Sequence, residues 1–383
     1  MNVSGEICSS LAAGGYSVKF SGYSALDLYF RFPPLPFLWI ETDADIGVLA
    51  RYIDNLRFPG VDIADAAVET ANGTCYFRCL ESGERSNISF PVLSLTCDWQ
   101  TKRFQDPLGI YPILRELRNR KFDTLPSFAV QPQFGSNRIV MEAALLLARY
   151  GFSVDTFVVA AAQNQPPRPE AQRVFLGCLM LSARPELGLE LLKRTGFLKE
   201  FWPELAALNE VDHSKEFHPE GNVWNHTLET FRYRKPATSG AFDLRLSLAL
   251  LLHDSGKPIS ASFGNHRFDG HAELGAQAAA RFLERLEFEP SMVQDIFYLV
   301  KNHMLPAALK RLPLTKTAEI MASPLFPTLM ELYRCDESSS FKGLNDFYEN
   351  TAAYQAYLKN IKNPYRSKDG KKIKRSNVYM GTY

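Results

Sequence analysis

Leu250-Leu251-Leu252-His253-Asp254-Ser255-Gly256-Lys257 is the stretch on which the reading of the chain turns. An apolar run brings an imidazole and a neighbouring carboxylate to one point, a glycine ends the run, and a lysine follows within reach of an anionic ligand. A His-Asp pair alone is common and carries little. Here it belongs to a longer series, His226, His253, Asp254, His271, His303 and Asp336, whose members lie on or beside segments of helical periodicity. Six N/O ligands are what two divalent cations need when they share one bridging carboxylate and keep open positions for water and substrate.

Neighbouring residues on a helix point about 100° apart, so His253 can bind one ion while Asp254, with two oxygens, bridges two. His226, on the helical segment 224–233, and Asp336, at the end of 327–336, can complete one shell. His271 opens one helix and His303 closes another, which places both at the rim where a second ion could sit. Asp254 and Lys257 are the candidate catalytic residues, Lys257 as the holder of a phosphate oxygen. The expected cofactors are two divalent ions, drawn from Mn, Fe, Ni, Co, Zn or Mg, with Mg the poorest match to four imidazoles. A lone histidine on an amphipathic helix is more often a core or surface residue, and His213, His218 and His266 are read so. His226, His253 and Asp254 read as ligands, because the apolar surroundings at 250–252 and around Leu228 and Phe231 would otherwise bury polar groups without partners.

The composition sets few further bounds. At 383 residues the chain can hold two or three domains with real cores, and 46% hydrophobic with 22% charged residues is ordinary for a globular protein. A formal charge of +1 gives no global drive toward nucleic acid or membrane. The six cysteines show no CxxC pair, and Cys75-x-x-x-Cys79 is read as strand and turn packing rather than a zinc half-site. No basic, apolar leader and no run of ~20 apolar residues occurs, so the expectation is a cytoplasmic protein without membrane contact. The oligomeric state is open.

Along the chain, residues 1–125 mix short helices (7–13, 25–30, 45–56) with β-type runs (16–20, 37–42, 74–80, 88–95) and a hairpin at 98–106. Beyond residue 138 the pattern turns helical, at 141–150, 170–181, 185–192, 203–208, 224–233, 243–252, 271–286, 291–302, 327–336 and 344–361. The fold class is therefore α+β: a small mixed α/β head and an all-α remainder. The last stretch, 362–375, carries seven Lys/Arg against Asp369 alone. It reads as a solvated tail, with phosphate-backbone contact as the functional alternative.

Three ordered motifs carry a family resemblance. Residues 217–228 (Phe217-His218-Pro219 through His226-Thr227-Leu228), 252–258 (Leu252-His253-Asp254 through Pro258) and 267–276 (Arg267-Phe268-Asp269-Gly270-His271 through Ala276) resemble the HD metal-dependent phosphohydrolase domain. They resemble in particular the version fused to bacterial tRNA nucleotidyltransferases of the CCA-adding and poly(A) polymerase class. The resemblance implies divalent metal at His226, His253, Asp254 and Asp336, a second ion at His271 and His303, and phosphodiesterase or phosphatase activity. It also implies a nucleotidyltransferase-like head at 1–125, a helical neck at 126–210, the HD domain at 211–361 and a basic tail at 362–383. In the head, residues 15–27 resemble the segment that cradles an incoming triphosphate, and Asp106-Pro107-Leu108-Gly109 resembles the motif before the neck.

The head departs from that family where its chemistry is done. The two strand acids that hold Mg²⁺ in active members fall, counting back from Thr42-Asp43-Ala44, on Phe37 and Trp39. The glycine pair is broken at Tyr23, the family Arg falls on Leu26, the Arg-Arg-Asp segment has no counterpart near 94–99, and Glu142 and Leu145 stand where the neck has arginines. Asp43 and Asp45 lie past the strand, where Asp43 reads as a cap. The expectation is thus an HD phosphohydrolase or phosphodiesterase acting on a nucleotide or an RNA 3′ end, that of tRNA included, with an inactive head used for binding. Two alternatives stand beside it: an active tRNA nucleotidyltransferase or poly(A) polymerase with shifted motifs, and a non-catalytic RNA- or protein-binding module.

Overall fold

A computed structural model describes residues 3–60, 63–80, 90–106, 136–152, 166–212, 221–264, 268–340 and 343–362. The chain divides into two compact units, one formed by residues 1–201 with 236–242 and the other by 202–235 with 243–383. His213, His218, His266 and the basic stretch after Lys362 lie outside the described residues. Mixed α/β structure followed by helices is the fold the sequence predicts.

The first unit is built on a six-stranded sheet of order β3-β4-β2-β1-β5-β6. Its strands are β1 (Val18–Ser21), β2 (Phe37–Thr42), β3 (Ala66–Thr70), β4 (Gly73–Cys79), β5 (Thr96–Asp98) and β6 (Phe104–Gln105). Only β2 and β4 pair in parallel, with Trp39 opposite Tyr76 and Glu41 opposite Arg78. Alternation along β2 sends Ile40 and Thr42 into the core and puts Phe37, Trp39 and Glu41 on the other face. Gly73 starts β4 at φ 121°, and any side chain there would meet the Pro36 carbonyl oxygen at 1.9 Å. A glycine is therefore obligatory at this crossing.

Two local expectations need correcting. The run 88–95 is not a strand over its described part: Pro91–Ser94 forms a 3₁₀ turn, since Pro91 has no N–H to give a ladder. Strand β3 went unpredicted because the alanines and Glu69 of Ala66-Ala67-Val68-Glu69-Thr70, residues depleted in strands, outweigh its two β-branched ones. The hairpin at 98–106 is present, its turn tied by Asp98, whose Oδ1 accepts from the Thr101 N–H at 2.6 Å and hydroxyl at 2.8 Å.

Helix Ser136–Leu145 continues as a π-helical turn, Leu146–Tyr150, and stops at Gly151 in the left-handed region. From that turn, Arg149 makes a fork with Asp27 on helix Gly22–Phe30, Nε to Oδ1 at 2.8 Å and an η-nitrogen to Oδ2 at 2.9 Å. The Tyr150 hydroxyl donates to the same carboxylate at 2.8 Å, and Arg149 also donates to the Pro33 carbonyl. Both charged side chains are 6% exposed, so neither has water as an alternative partner.

In the second unit the central element is helix Leu244–Leu252, buried at every position from Leu246 on. Asp243 caps it by accepting from the Arg245 and Leu246 amides. Helices Val223–Thr230, His271–Arg285, Pro290–Asn302 and Phe326–Ser338 pack around it. Two short helices, Lys257–Ser262 and Leu314–Met321, had no sequence expectation. Among the described residues no helix is long and apolar enough to cross a membrane.

Truncating one side of the buried fork strands the other charge. Asp27→Ala is expected to destabilise the first unit by about 3–5 kcal/mol in denaturant unfolding, and Asp27→Leu with Arg149→Met to recover part of that loss.

Candidate metal centre

The six residues read from the sequence converge. His226 comes from helix Val223–Thr230, started by Asn222, whose side chain accepts from the Asn225 amide at 2.9 Å. His253 and Asp254 follow the last turn of Leu244–Leu252, His271 opens His271–Arg285, His303 closes Pro290–Asn302, and Asp336 stands in the last turn of Phe326–Ser338. His226, His253 and Asp254 form one compact ligand group; Asp254, His271 and His303 form another. Asp254 is common to both. Its Oδ2 lies 3.9 Å from His226 Nε2 and 3.3 Å from His253 Nε2, whereas its Oδ1 faces His271 Nε2 at 3.7 Å. Asp336 Oδ1 approaches His226 Nε2 at 3.0 Å and His253 Nε2 at 4.0 Å.

The helix backbones set which nitrogen each ring presents. His253, His271 and His303 place Nδ1 at 2.8, 2.8 and 2.7 Å from the carbonyl oxygens of Leu250, Phe268 and Val300. A carbonyl can only accept, so Nδ1 carries the proton and Nε2 offers a lone pair to the centre. For His226, the Ser339 hydroxyl donates to the Asp336 carbonyl, which leaves its oxygen to accept from His226 Nδ1. Four imidazoles thus aim Nε2 inward.

That geometry asks for a cation. His271 Nε2 and His303 Nε2 stand 3.1 Å apart, lone pair against lone pair. His253 Nε2 is buried without a hydrogen bond among the described residues. Burial pushes the His303 imidazole down to about 4, with nearby His253 adding to the shift, and His271 is lowered chiefly by burial. Both rings are therefore neutral near pH 7, as metal ligands must be. Burial alone would raise the Asp254 carboxyl, but His253 and Lys257 hold it well below the usual carboxylate range. Asp336 is likewise held low against burial where the facing His226 is protonated, a positive charge that a bound ion would replace. Donor set, tautomers and protonation all fit divalent metal.

Lys257 donates to Asp254 Oδ2 at 2.7 Å and lines the cavity of about 250 Å³ over the centre. Phe268, Met304, Glu337 and Ser340 line it too, and sequence reasoning did not single them out. Gly256 permits the approach of the His-Asp turn to helix His271–Arg285: a Cβ there would lie 2.0 Å from the His271 carbonyl oxygen and 2.5 Å from the Gly275 nitrogen.

The first unit has a cavity of its own, about 170 Å³, at the β2 face. Tyr23, Trp39 and Tyr76 wall it, Trp39 stacked on Tyr76 at 5.9 Å and edge-on to Tyr23 at 5.3 Å. Glu41, Arg78, Arg138 and Glu142 bring charge to the same cavity, Arg138 Nε donating to Glu142 Oε1 at 2.8 Å. Glu142 Oε2 is buried with no hydrogen-bond partner among the described residues. Asp43 and Asp45 do not line it. Asp43 accepts from the Ser17 amide at 2.7 Å, and the helix cap expected of Asp43 is made instead by Asp45, which accepts from Val48. All six cysteines are free thiols.

Comparison with known proteins bears on both units. Residues 223–323 match the family model of the HD domain. The chain is 33% identical over 209 residues, 53% of its length, to the CC-adding tRNA nucleotidyltransferase of Thermus thermophilus, and 33% identical over 148 residues, 38% of its length, to the multifunctional CCA protein of Halorhodospira halophila. The matches cover 46% and 35% of those proteins, so the chain spans less than half of the curated relatives it matches. The Bacillus stearothermophilus CCA-adding enzyme in complex with CTP shares the fold, at a TM-score of 0.55 over 93% of this chain and 82% of that one, with 13% identity. Homologues of this chain are CCA-type tRNA nucleotidyltransferases, and it carries an HD domain.

These relatives overturn the expectation of an HD phosphohydrolase with an inactive head, since they are named for nucleotidyl transfer. There is a physical reason the expectation misled. It placed the strand acids at Phe37 and Trp39 and counted Glu142 as a lost arginine, whereas Glu41, one pleat further along β2, faces the same cavity together with Glu142 and two arginines.

Purified protein is expected to carry stoichiometric divalent metal by elemental analysis, and His253→Ala with Asp254→Ala to lose it while remaining folded. Gly256→Ala is expected to lower both metal content and stability, by about 3 kcal/mol, the upper range for overpacking, as read by thermal unfolding with and without chelator.

Proposed function

We propose that this chain acts at the 3′ end of tRNA as a nucleotidyltransferase, with the β2-face cavity as its nucleotide pocket and the HD centre as a second, metal-dependent site. The observation that carries this is the set of charges on the β2 face, Glu41 and Glu142 with Arg78 and Arg138, in a chain whose relatives are named for tRNA nucleotidyl transfer. An aromatic wall suits a nucleobase, and Trp39, half-buried and backed by the Tyr76 ring on which it stacks, is the ring that would take one. Guanidiniums suit a polyphosphate. Burial lowers the Arg78 guanidinium from its usual range, and Asp65, Glu41 and Glu142 partly offset this.

Glu41 and Glu142 are the residues that would hold a divalent ion in the pocket; the orphaned Glu142 Oε2 is the acceptor still open to one. Bound there, such an ion would neutralise triphosphate charge and favour loss of the proton from a 3′-hydroxyl. The chain's own groups do the rest. Arg78 and Arg138 fix the phosphates, Trp39 orients the base, and the aromatic wall excludes water from the transfer.

In the same reading the HD centre takes a phosphoester and hydrolyses it, beside the head's transfer activity and not in place of it. The observation that favours this is Asp254, whose two oxygens face two separate ligand groups. His226, His253, Asp254 and Asp336 would hold one ion, and Asp254, His271 and His303 the other. Lys257 would hold a non-bridging phosphate oxygen.

The test is incorporation of labelled CTP and ATP into tRNA lacking its 3′ terminus, with Mg²⁺ present. The parent protein is expected to incorporate, and Glu41→Gln to incorporate about 100-fold more slowly. A parent that leaves the tRNA unextended overturns the proposal, and so does a Glu41→Gln variant that extends it at the parental rate.

A further inference from the structure

We infer that Phe268 determines what the HD centre accepts: its ring is the seat for the planar base of a nucleoside phosphate whose phosphate lies at Lys257, while its backbone keeps His271 in the ligating tautomer. This rests on the reading of the centre as a divalent-metal site for a phosphoester.

Phe268 has φ 55°, the left-handed region that bulky side chains rarely adopt. The unstrained way to make this turn is a glycine, and Gly270, two residues on, is one, at φ 75°. A phenylalanine held there needs a reason in its carbonyl or its ring. The carbonyl has one. It accepts from the His271 amide at 3.0 Å and from His271 Nδ1 at 2.8 Å, so the turn both opens helix His271–Arg285 and fixes the imidazole proton on the side away from the centre. Glycine could hold that carbonyl equally well, so the carbonyl does not account for the side chain.

The ring supplies the second reason. It lines the cavity over the six ligands, and Lys257 Nζ stands 5.9 Å from its centroid. Lys257 is the cavity's cation, 14% exposed and already turned toward Asp254. An anion drawn to Lys257 and the ions has the Phe268 face as its neighbour. Met304 lines the same cavity and is 52% exposed, although the residue before it, His303, is buried. Polar ligands thus make the floor and two apolar side chains contribute to the walls. A ligand with a phosphate at one end and a flat, weakly polar ring at the other matches both parts; inorganic phosphate matches only the floor.

The two roles of Phe268 separate by substitution. Phe268→Gly keeps the left-handed turn and its carbonyl but removes the ring, and Phe268→Tyr keeps both. Calorimetric titration of the metal-loaded full chain with AMP and with inorganic phosphate, alongside elemental analysis, reads both roles. Phe268→Gly is expected to retain the parent's metal content and phosphate affinity while its AMP affinity falls about 10-fold, the equivalent of one base–aromatic stack. Phe268→Tyr is expected to restore AMP binding. Phe268→Val, β-branched and unsuited to positive φ, is expected to lose metal. Metal present in the parent with AMP affinity unchanged in Phe268→Gly overturns the inference alone. A parent without stoichiometric metal overturns the reading of the centre and the inference with it.

Discussion

A single carboxylate, 2% exposed, organises the helical unit. Asp254 has no water to neutralise it: Lys257 from the next turn supplies one positive charge, and the lone pairs of His226, His253 and His271 face it where a divalent ion would supply the rest. Burying such a charge costs several kcal/mol unless it is paired. The close approach that makes pairing possible depends on Gly256 lying against the backbone of helix His271–Arg285. Charge compensation and backbone clearance are thus one constraint, satisfied in the eight residues 250–257.

This explains why the centre was legible in the sequence. Its ligands sit at helix ends or next to helix interiors, where a polar residue amid leucines has few alternative explanations, and their order matched a family pattern. What the sequence could not carry was the surroundings. Phe268 lies within a motif already noticed, yet only its φ of 55° and its place in the cavity distinguish it from an ordinary core aromatic. Ser339, which orients His226, is three residues past Asp336 and gives no signal at all until the helix is folded.

The head was read less well, for reasons that lie in particular residues. Strand β2 was legible to the residue, because Phe37-Leu38-Trp39-Ile40 is a run of bulky aromatic and aliphatic residues that suits a pleated sheet. Strand β3 was not, since Ala66-Ala67-Val68 is equally good helix, and its partner β4 decides the matter. Losing acids at Phe37 and Trp39, taken together with the departures at Tyr23, Leu26, Glu142 and Leu145, looked like loss of function as long as positions were compared along the chain. Three dimensions bring Glu142 from 101 residues further along the chain to the cavity that Glu41 also lines, which no local count could reveal.

The fork between Asp27 and Arg149 joins residues 122 positions apart. During synthesis the whole sheet must emerge and wait before its buried aspartate meets a counter-charge. Until then helix Gly22–Phe30 has every reason to keep Asp27 in water, and the apolar faces it will cover stay open. Closing so long a loop is slow. The first unit therefore cannot close before Arg149 has been made, and its later segments, up to residue 201 and 236–242, extend that wait.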